Sequence, residues 1–547
     1  MGFLYIKLSK NKWLRNKMKI YYALLTFLLI VSCSSNNFED ARNFINEKNL
    51  SAHIKKLSSD EFLGRSLGHE GEEKTINYLI EQYKRIGLEP ADGKSYIQEI
   101  NLVELTPSVN SEIIVKRNNG KVKLNYADDF VAVTRRVAEE IQIKPCEIIF
   151  AGYGINAPEY NWNDFEGINV KDKIILVMVN DPGFATNDSS LFNGKAMTYY
   201  GRWTYKYEEA ARQGAAGVFV IHETKAASYP WEVVKNGRVG PQYFIEEKDK
   251  NFSRCKFEGW ITYDKAKEIF SLAKLDLDEE LKKASVRGFK AKPLGLYTSL
   301  TIKNKIEHIK TRNVLGTLPG KERADEFIFY MAHWDHLGYD SSLKGDSIFN
   351  GARDNASGVA GILQIAEAFS KLKEKPKRSI AILSLTAEEQ GLLGSEYYVK
   401  NPIIPLNKII AAINLDGLNI FGRTKDIAVL GYGMSELDKY IKEEAEKLGK
   451  IVRPDPNPES GGFFRSDHYN FVKAGIPAIY IRHGIESLDG KKDIQKAARE
   501  WNKNNYHKVT DEFNSDWDLS GMVEEVQMLF DIGYKLSNEN NFPKLIK

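Results

Sequence analysis

Ser379-Ile380-Ala381-Ile382-Leu383-Ser384-Leu385-Thr386-Ala387-Glu388-Glu389 is a nearly unbroken apolar run that stops at two carboxylates. A strand with one wet face alternates apolar and polar residues. A continuous run predicts a strand covered on both faces, the signature of a parallel sheet packed between helices. Two neighbours in the sequence share this form: Phe327 to Ala332 runs into His333-Trp334-Asp335, and Ile409 to Leu415 into Asp416-Gly417. Helical periodicity separates the runs, over Ser357 to Leu372 and again over Ser435 to Leu448, and further strand patterns follow at Ile427 to Leu430 and Ile476 to Ile481. The expected fold is α/β, with a mixed, mostly parallel sheet flanked by helices.

Toward the N-terminus the pattern predicts two amphipathic helices, Ala41 to Leu57 and Glu72 to Ile86, then strands over Tyr96 to Leu105 and Glu112 to Val115, broken at Pro107 and at the turn Asn118-Asn119-Gly120. Short β runs alternate with glycine turns from Cys146 to about Glu223 (147–150, 174–179 and 218–221), with a helix expected over 205–213. This predicts a second, β-rich α/β unit. The expected division is 1–33 leader, 34–105 first part of the main domain, 106–296 insertion and 297–547 remainder of the main domain.

The 547 residues are 42% hydrophobic and 28% charged, with 77 basic and 74 acidic side chains for a formal charge of +3. No net field argues for nucleic-acid binding. Three cysteines, Cys33, Cys146 and Cys255, are too few for a disulfide framework or a cysteine zinc site, so any metal must be held by histidine and carboxylate. Cys146 and Cys255 fit either a pair in an oxidising compartment or two isolated buried thiols. At the start, Lys7 to Lys19 is basic and Ile20 to Val31 apolar but too short to span a bilayer, which reads as a signal segment.

Strand ends in open α/β sheets are where ligands gather, and here three apolar runs end in His333 and Asp335, Glu388 and Glu389, and Asp416. A fourth candidate, Asp354, sits among small residues in Asn350-Gly351-Ala352-Arg353-Asp354-Asn355-Ala356-Ser357-Gly358, where it can serve as a helix N-cap or as a metal ligand. A fifth, His507, lies in the polar loop Asn504-Asn505-Tyr506-His507-Lys508. Ser466-Asp467-His468 reads as a hydrogen-bonded turn rather than a ligand. His336 is expected to point away, and residues 456–466 to form a loop over the cleft.

Taken in order, His-x-Asp, Gly-Ala-x-Asp-Asn-x-Ser-Gly, Glu-Glu-x-Gly-Leu-x-Gly-Ser, Asn-Leu-Asp and Tyr-His resemble the co-catalytic zinc aminopeptidase family, which includes aminopeptidases, glutamate carboxypeptidases and glutaminyl cyclases. The resemblance implies two zinc ions. It assigns His333 and Asp416 to one, Glu389 and His507 to the other, Asp354 as the bridge, and Glu388 as general base acting on a bridging water. Asp335 is then expected to accept the second N–H of His333. Ala151-Gly152-Tyr153-Gly154-Ile155, Lys173 to Val179 and Glu208 to Val218 resemble the protease-associated domain. Ile30-Val31-Ser32-Cys33 resembles the bacterial lipobox, which implies export and a lipid anchor on Cys33, in the periplasm or at the cell surface. The implied activity is that of an exopeptidase on peptides, an aminopeptidase before a carboxypeptidase or dipeptidase, a cyclase or a catalytically dead receptor-like homologue. Arg353, Arg465 and Arg482 are the candidates for a carboxylate-binding cluster.

Overall fold

The apolar runs lie side by side at the centre of the main sheet. In the computed structural model, which describes residues 37–546, the order is Ile97–Val109, Lys292–Leu318, Arg378–Leu385, Arg323–His333, Ile409–Asn414, Ala478–His483, Asp426–Val429 and Ile451–Pro454. The four strands from Arg378–Leu385 to Ala478–His483 are mutually parallel, while Lys292–Leu318 and Asp426–Val429 pair antiparallel with the outer two of them. This is the mixed, mostly parallel α/β fold that the runs predict.

Successive residues of one strand face different cores. Ile328, Tyr330 and Ala332 pack with Ile380, Ile382 and Ile413 under the helices Glu47–Leu57, Glu70–Ile86, Ser357–Ser370 and Ser520–Asn538. Phe329 and Met331 pack with Ala381, Leu383 and Leu385 on the other face, against Tyr398 and Phe471 from the helices Leu393–Lys400 and His468–Lys473. Every residue of Arg378–Leu385 and Ile409–Asn414 is buried. At about 1.5–3 kcal/mol for each buried Ile, Leu or Phe, this two-sided burial fixes the strand positions and with them the ends that carry the polar residues.

Two expectations differ in detail. The first helical pattern breaks at 44–46 and restarts as Glu47–Leu57, where the Asn46 side chain accepts from Asn49 N at 3.1 Å and caps the new helix. Pro107 does not end its strand, which runs from Ile97 to Val109. Gln242–Ile245 covers the outer edge only over Leu102–Leu105, so Pro107 lies where that edge is unpaired and its missing N–H breaks no ladder bond.

Between Val109 and Lys292 the chain builds a second sheet from Phe130–Val133, Phe257–Thr262, Gly217–His222, Ile174–Met178 and Glu140–Phe150, which pairs with the first part of Lys292–Leu318. That 27-residue strand runs through both sheets. Cys146 and Cys255 are free thiols. Among the described residues no helix is long and apolar enough to cross a membrane. The leader and Cys33 lie outside the described residues.

Candidate active site

His333 ends the Arg323–His333 strand, which lies between the parallel strands Arg378–Leu385 and Ile409–Asn414 in the registers His333↔Leu385 and Met331↔Asn414. Because the three strands stop within two residues of one another, the chain just beyond each rises from the same edge. Glu388 and Glu389 follow from one neighbour and Asp416 from the other. Asp354 enters from the loop ahead of the Ser357–Ser370 helix, and His507 from the loop after Ile494–Asn504.

Asp354 is the centre of the arrangement. Its Oδ1 is 3.3 Å from His333 Nε2 and its Oδ2 is 3.3 Å from His507 Nε2. Asp416 Oδ1 lies 3.6 Å from the same His333 nitrogen, and Glu389 Oε2 lies 3.1 Å from that of His507. Glu388 Oε2 reaches His333 Nε2 only at 4.0 Å. The helix-cap role open to Asp354 falls to its neighbour: Asn355 Oδ1 accepts from Gly358 N at 2.9 Å, which leaves the Asp354 carboxylate to the site.

Residues far along the chain hold these groups. Asp511, fully buried, accepts from Arg353 N at 2.9 Å and Asp354 N at 3.0 Å, so one carboxylate fixes the backbone on both sides of that peptide. Ser466 Oγ donates to Asp416 Oδ2 at 2.7 Å while accepting from Asn414 Nδ2 at 2.8 Å. His333 Nδ1 lies 3.2 Å from the Asp335 carbonyl, which leaves Nε2 to face the carboxylates.

Burial alone would lower both imidazole pKa values, yet His333 and His507 are held well above the ordinary range by the surrounding Glu388, Glu389, Asp354 and Asp416. Burial likewise opposes ionisation of Asp354 and Glu389, but the facing imidazoles prevail and hold Glu389 at about 2 and Asp354 well below the carboxylate range. Buried Glu388 goes the other way, pushed up by desolvation and by Asp416 and Glu389 against the pull of His333. The pocket therefore favours positive charge between its carboxylates. The donor set fits zinc: one oxygen or nitrogen from each of His333, Asp354 and Asp416 lies within 4.8 Å of the others, and the buried His507 Nε2 has no hydrogen-bond partner.

The structure brings all five expected ligands and Glu388 together, and corrects two smaller expectations. The Asp335 carboxylate does not take the His333 N–H, from which it is 3.8 Å away; it accepts instead from Glu388 N at 3.1 Å and Glu389 N at 3.3 Å, because the strand ends turn over it. His336 does not point away. Its Nδ1 is 2.6 Å from Glu389 Oε1, and with Asp354 and Glu389 it forms a second group with ligand atoms within 4.8 Å. The three arginines have separate partners: Arg353 donates to the carbonyls of Leu418 and Gly417, Arg482 to Tyr480 OH, and Arg465 lies over Tyr229. His468 is enclosed between Phe463 and Tyr480, outside the ligand groups.

The 456–466 loop meets the inserted unit through Met197 N donating to Pro458 O at 3.1 Å. Nearby, Lys473 Nζ bonds both Tyr199 OH and Glu208 at 3.0 Å, and the Tyr199 and Tyr469 rings lie 5.1 Å apart.

Comparison with known proteins places this geometry. Residues 313–530 match the model of peptidase family M28. The chain is 34% identical over 154 residues to leupeptin-inactivating enzyme 1 of Streptomyces exfoliatus, covering 28% of this chain and 34% of that protein. It is 29% identical over 194 residues to the probable glutamate carboxypeptidase VP8 of Zea mays, covering 32% of this chain and 25% of that protein. The matches thus span only a quarter to a third of the length of these curated relatives. In three dimensions it resembles an aminopeptidase from Aneurinibacillus sp. strain AM-1, with a TM-score of 0.52 and 18% identity over 92% of this chain and 97% of that one, a likeness of fold. Residues 313–530, the stretch that matches the peptidase family M28 model, carry all the expected ligands and Glu388.

Proposed function

We propose that the protein is a two-zinc exopeptidase that removes N-terminal residues from peptides. One observation carries this reading: the two oxygens of Asp354 each face a different imidazole at 3.3 Å, the arrangement of a carboxylate shared by two cations. His333 and Asp416 would hold one zinc, His507 and Glu389 the other. Bound zinc supplies Lewis-acid polarisation of the scissile carbonyl and makes a nucleophile of water at neutral pH.

Glu388 is the general base. Its carboxylate stands near the ligands without sharing their closest contacts, and its raised proton affinity suits a group that takes a proton from the nucleophile and returns it to the leaving amine. Asp335 positions it by accepting the amides of both Glu388 and Glu389. His336 steadies Glu389 from the side opposite His507. The aminopeptidase reading is preferred to a glutamate carboxypeptidase because two of the three candidate arginines, Arg353 and Arg482, are engaged by protein oxygens rather than free for a substrate carboxylate. The inserted unit acts as a protease-associated domain that supports the 456–466 loop. Export and lipid anchoring at Cys33 complete the proposal.

The test uses residues 34–547, with zinc counted per chain and turnover assayed on aminoacyl anilides, acidic dipeptides and peptides with N-terminal Gln. Two zincs and anilide cleavage are expected. Glu388→Gln should keep its zinc and lose about 10²- to 10⁴-fold in turnover, whereas Asp354→Ala should lose metal. Full zinc content in Asp354→Ala would sink the bridging role, and full activity in Glu388→Gln the base.

A further inference from the structure

Arg65 lies far upstream of the family match, in a turn whose residues Leu63, Gly64 and Arg65 all have left-handed φ values of 49°, 65° and 53°. The turn is pressed against the segment that joins His333 to Asp354. A Cβ on Gly64 would overlap the carbonyl oxygens of Gly338 and Phe349, so only glycine allows the approach.

The Arg65 side chain, 1% exposed, continues inward beneath both loops. Its Nε donates to Trp334 O at 2.8 Å, Nη1 to Asn350 O at 2.7 Å and Leu57 O at 2.8 Å, and Nη2 to Gly351 O at 2.9 Å. Its own carbonyl accepts from His336 N at 3.3 Å. Three of the four acceptors belong to the segments that carry candidate ligands: Trp334 follows His333, and Asn350 and Gly351 lie four and three residues before Asp354. Among the described residues no carboxylate lies within ion-pair distance of this buried guanidinium. A buried cation is unfavourable unless its donors are satisfied, and here backbone carbonyls, three from the two loops and one from the end of the Glu47–Leu57 helix, satisfy them. A planar fork can span four separate oxygens, which a lysine ammonium cannot.

We propose that Arg65 is a positioning residue of the metal centre, clamping the His333 and Asp354 loops in ligand geometry, so that the N-terminal segment and not only residues 313–530 builds the site. The inference rests on the two-zinc reading. Asp511 holds the same loop from its amide side at residues 353 and 354, and Arg65 from its carbonyl side at 350 and 351.

The experiment takes the full chain stripped of metal and titrates it with Zn²⁺ and with Co²⁺, recording affinity, the visible Co²⁺ spectrum and the melting temperature of the apoprotein. Arg65→Lys and Arg65→Met are compared with Arg378→Met, which removes another buried arginine that bonds Leu536 O and Glu326, away from the site. Both Arg65 variants should fold, bind metal about 10- to 100-fold more weakly and show an altered Co²⁺ spectrum, with lysine no better than methionine. Arg378→Met should melt earlier yet bind metal as the wild type does. Wild-type affinity and spectrum in Arg65→Met would overturn the proposal, as would an equal loss in Arg378→Met. Failure of both Arg65 variants to fold would make Arg65 a core staple and overturn it too. Absence of metal binding in the wild type would instead remove the two-zinc reading, and this inference with it.

Discussion

At the scale of single residues, the sequence exposes candidate ligands better than it exposes what holds them. His333, Glu388, Glu389 and Asp416 are legible because each interrupts an apolar run, and Asp354 and His507 because their surroundings complete a known order. Asp511 and Arg65 carry no such mark. Their partners are backbone amides and carbonyls up to 286 positions away, and a backbone group leaves no trace in side-chain pattern. His53 is another residue whose role appears only in three dimensions. Its Nδ1 is 2.6 Å from Tyr78 OH and its Nε2 is 3.2 Å from the Gln364 side-chain nitrogen, which donates to it. Burial, helped by Arg85, pulls its pKa down to about 4. Between the ordinary value of about 6.5 and 4, the unfolded chain binds a proton that the folded one refuses. The stabilisation is complete above pH 6.5 and is lost as the pH falls, by at most about 3 kcal/mol. Melting curves from pH 7 to 4 should therefore fall more steeply for the wild type than for His53→Gln, and parallel curves would remove His53 as a cause of acid lability.

At the scale of elements, what the sequence specifies is burial, and burial is what the site depends on. Continuous apolar runs gave the parallel strands and the level at which they stop. Pro107 misleads because a proline's effect depends on whether the neighbouring edge is paired, which is a tertiary fact. The start of the Ser357–Ser370 helix shows how closely an element must approach for the ligands to meet. A Cβ on Gly358 would overlap the carbonyl oxygen of Leu415, the residue before Asp416, and crowd the Asn355 side-chain amide. Gly358→Ala must therefore push apart the Asp354 loop and the Asp416 strand end. The expected cost is about 1–3 kcal/mol with reduced zinc retention, read from apoprotein melting and from metal content after dialysis. Unchanged values for both would mean that the helix start yields without moving the ligands.

At the scale of the whole molecule, two strands decide how the inserted unit is attached. Ile97–Val109 and Lys292–Leu318 pair antiparallel with Val109 opposite Ile302, so the chain leaves the main sheet and returns to it at directly facing positions. The sequence pattern marks two units, but it does not reveal that one strand serves both sheets: that strand alternates from Leu294 to Ile306 and becomes continuously buried only at Asn313–Thr317, with no break in the chain between. The pairing has a direct consequence. Replacing residues 110–301 with Asn-Gly would close the two strands as a hairpin, since that dipeptide favours the turn whose twist matches antiparallel strands. Phe244 leaves with the deletion and uncovers Val103 and Leu105, so the shortened chain should also carry Val103→Thr and Leu105→Thr to keep the bared edge from pairing with other molecules. It is expected to fold cooperatively and, on the two-zinc proposal, to retain both ions, because every candidate ligand, Asp511 and Arg65 lie outside the excised stretch. It should nevertheless bind peptides more weakly, since the 456–466 loop loses Met197 and the neighbouring helix loses Tyr199 and Glu208. A rise in KM with zinc content unchanged would separate support of the cleft from construction of the metal centre. A shortened chain that folds but holds no zinc would show that the inserted unit helps to build the centre itself.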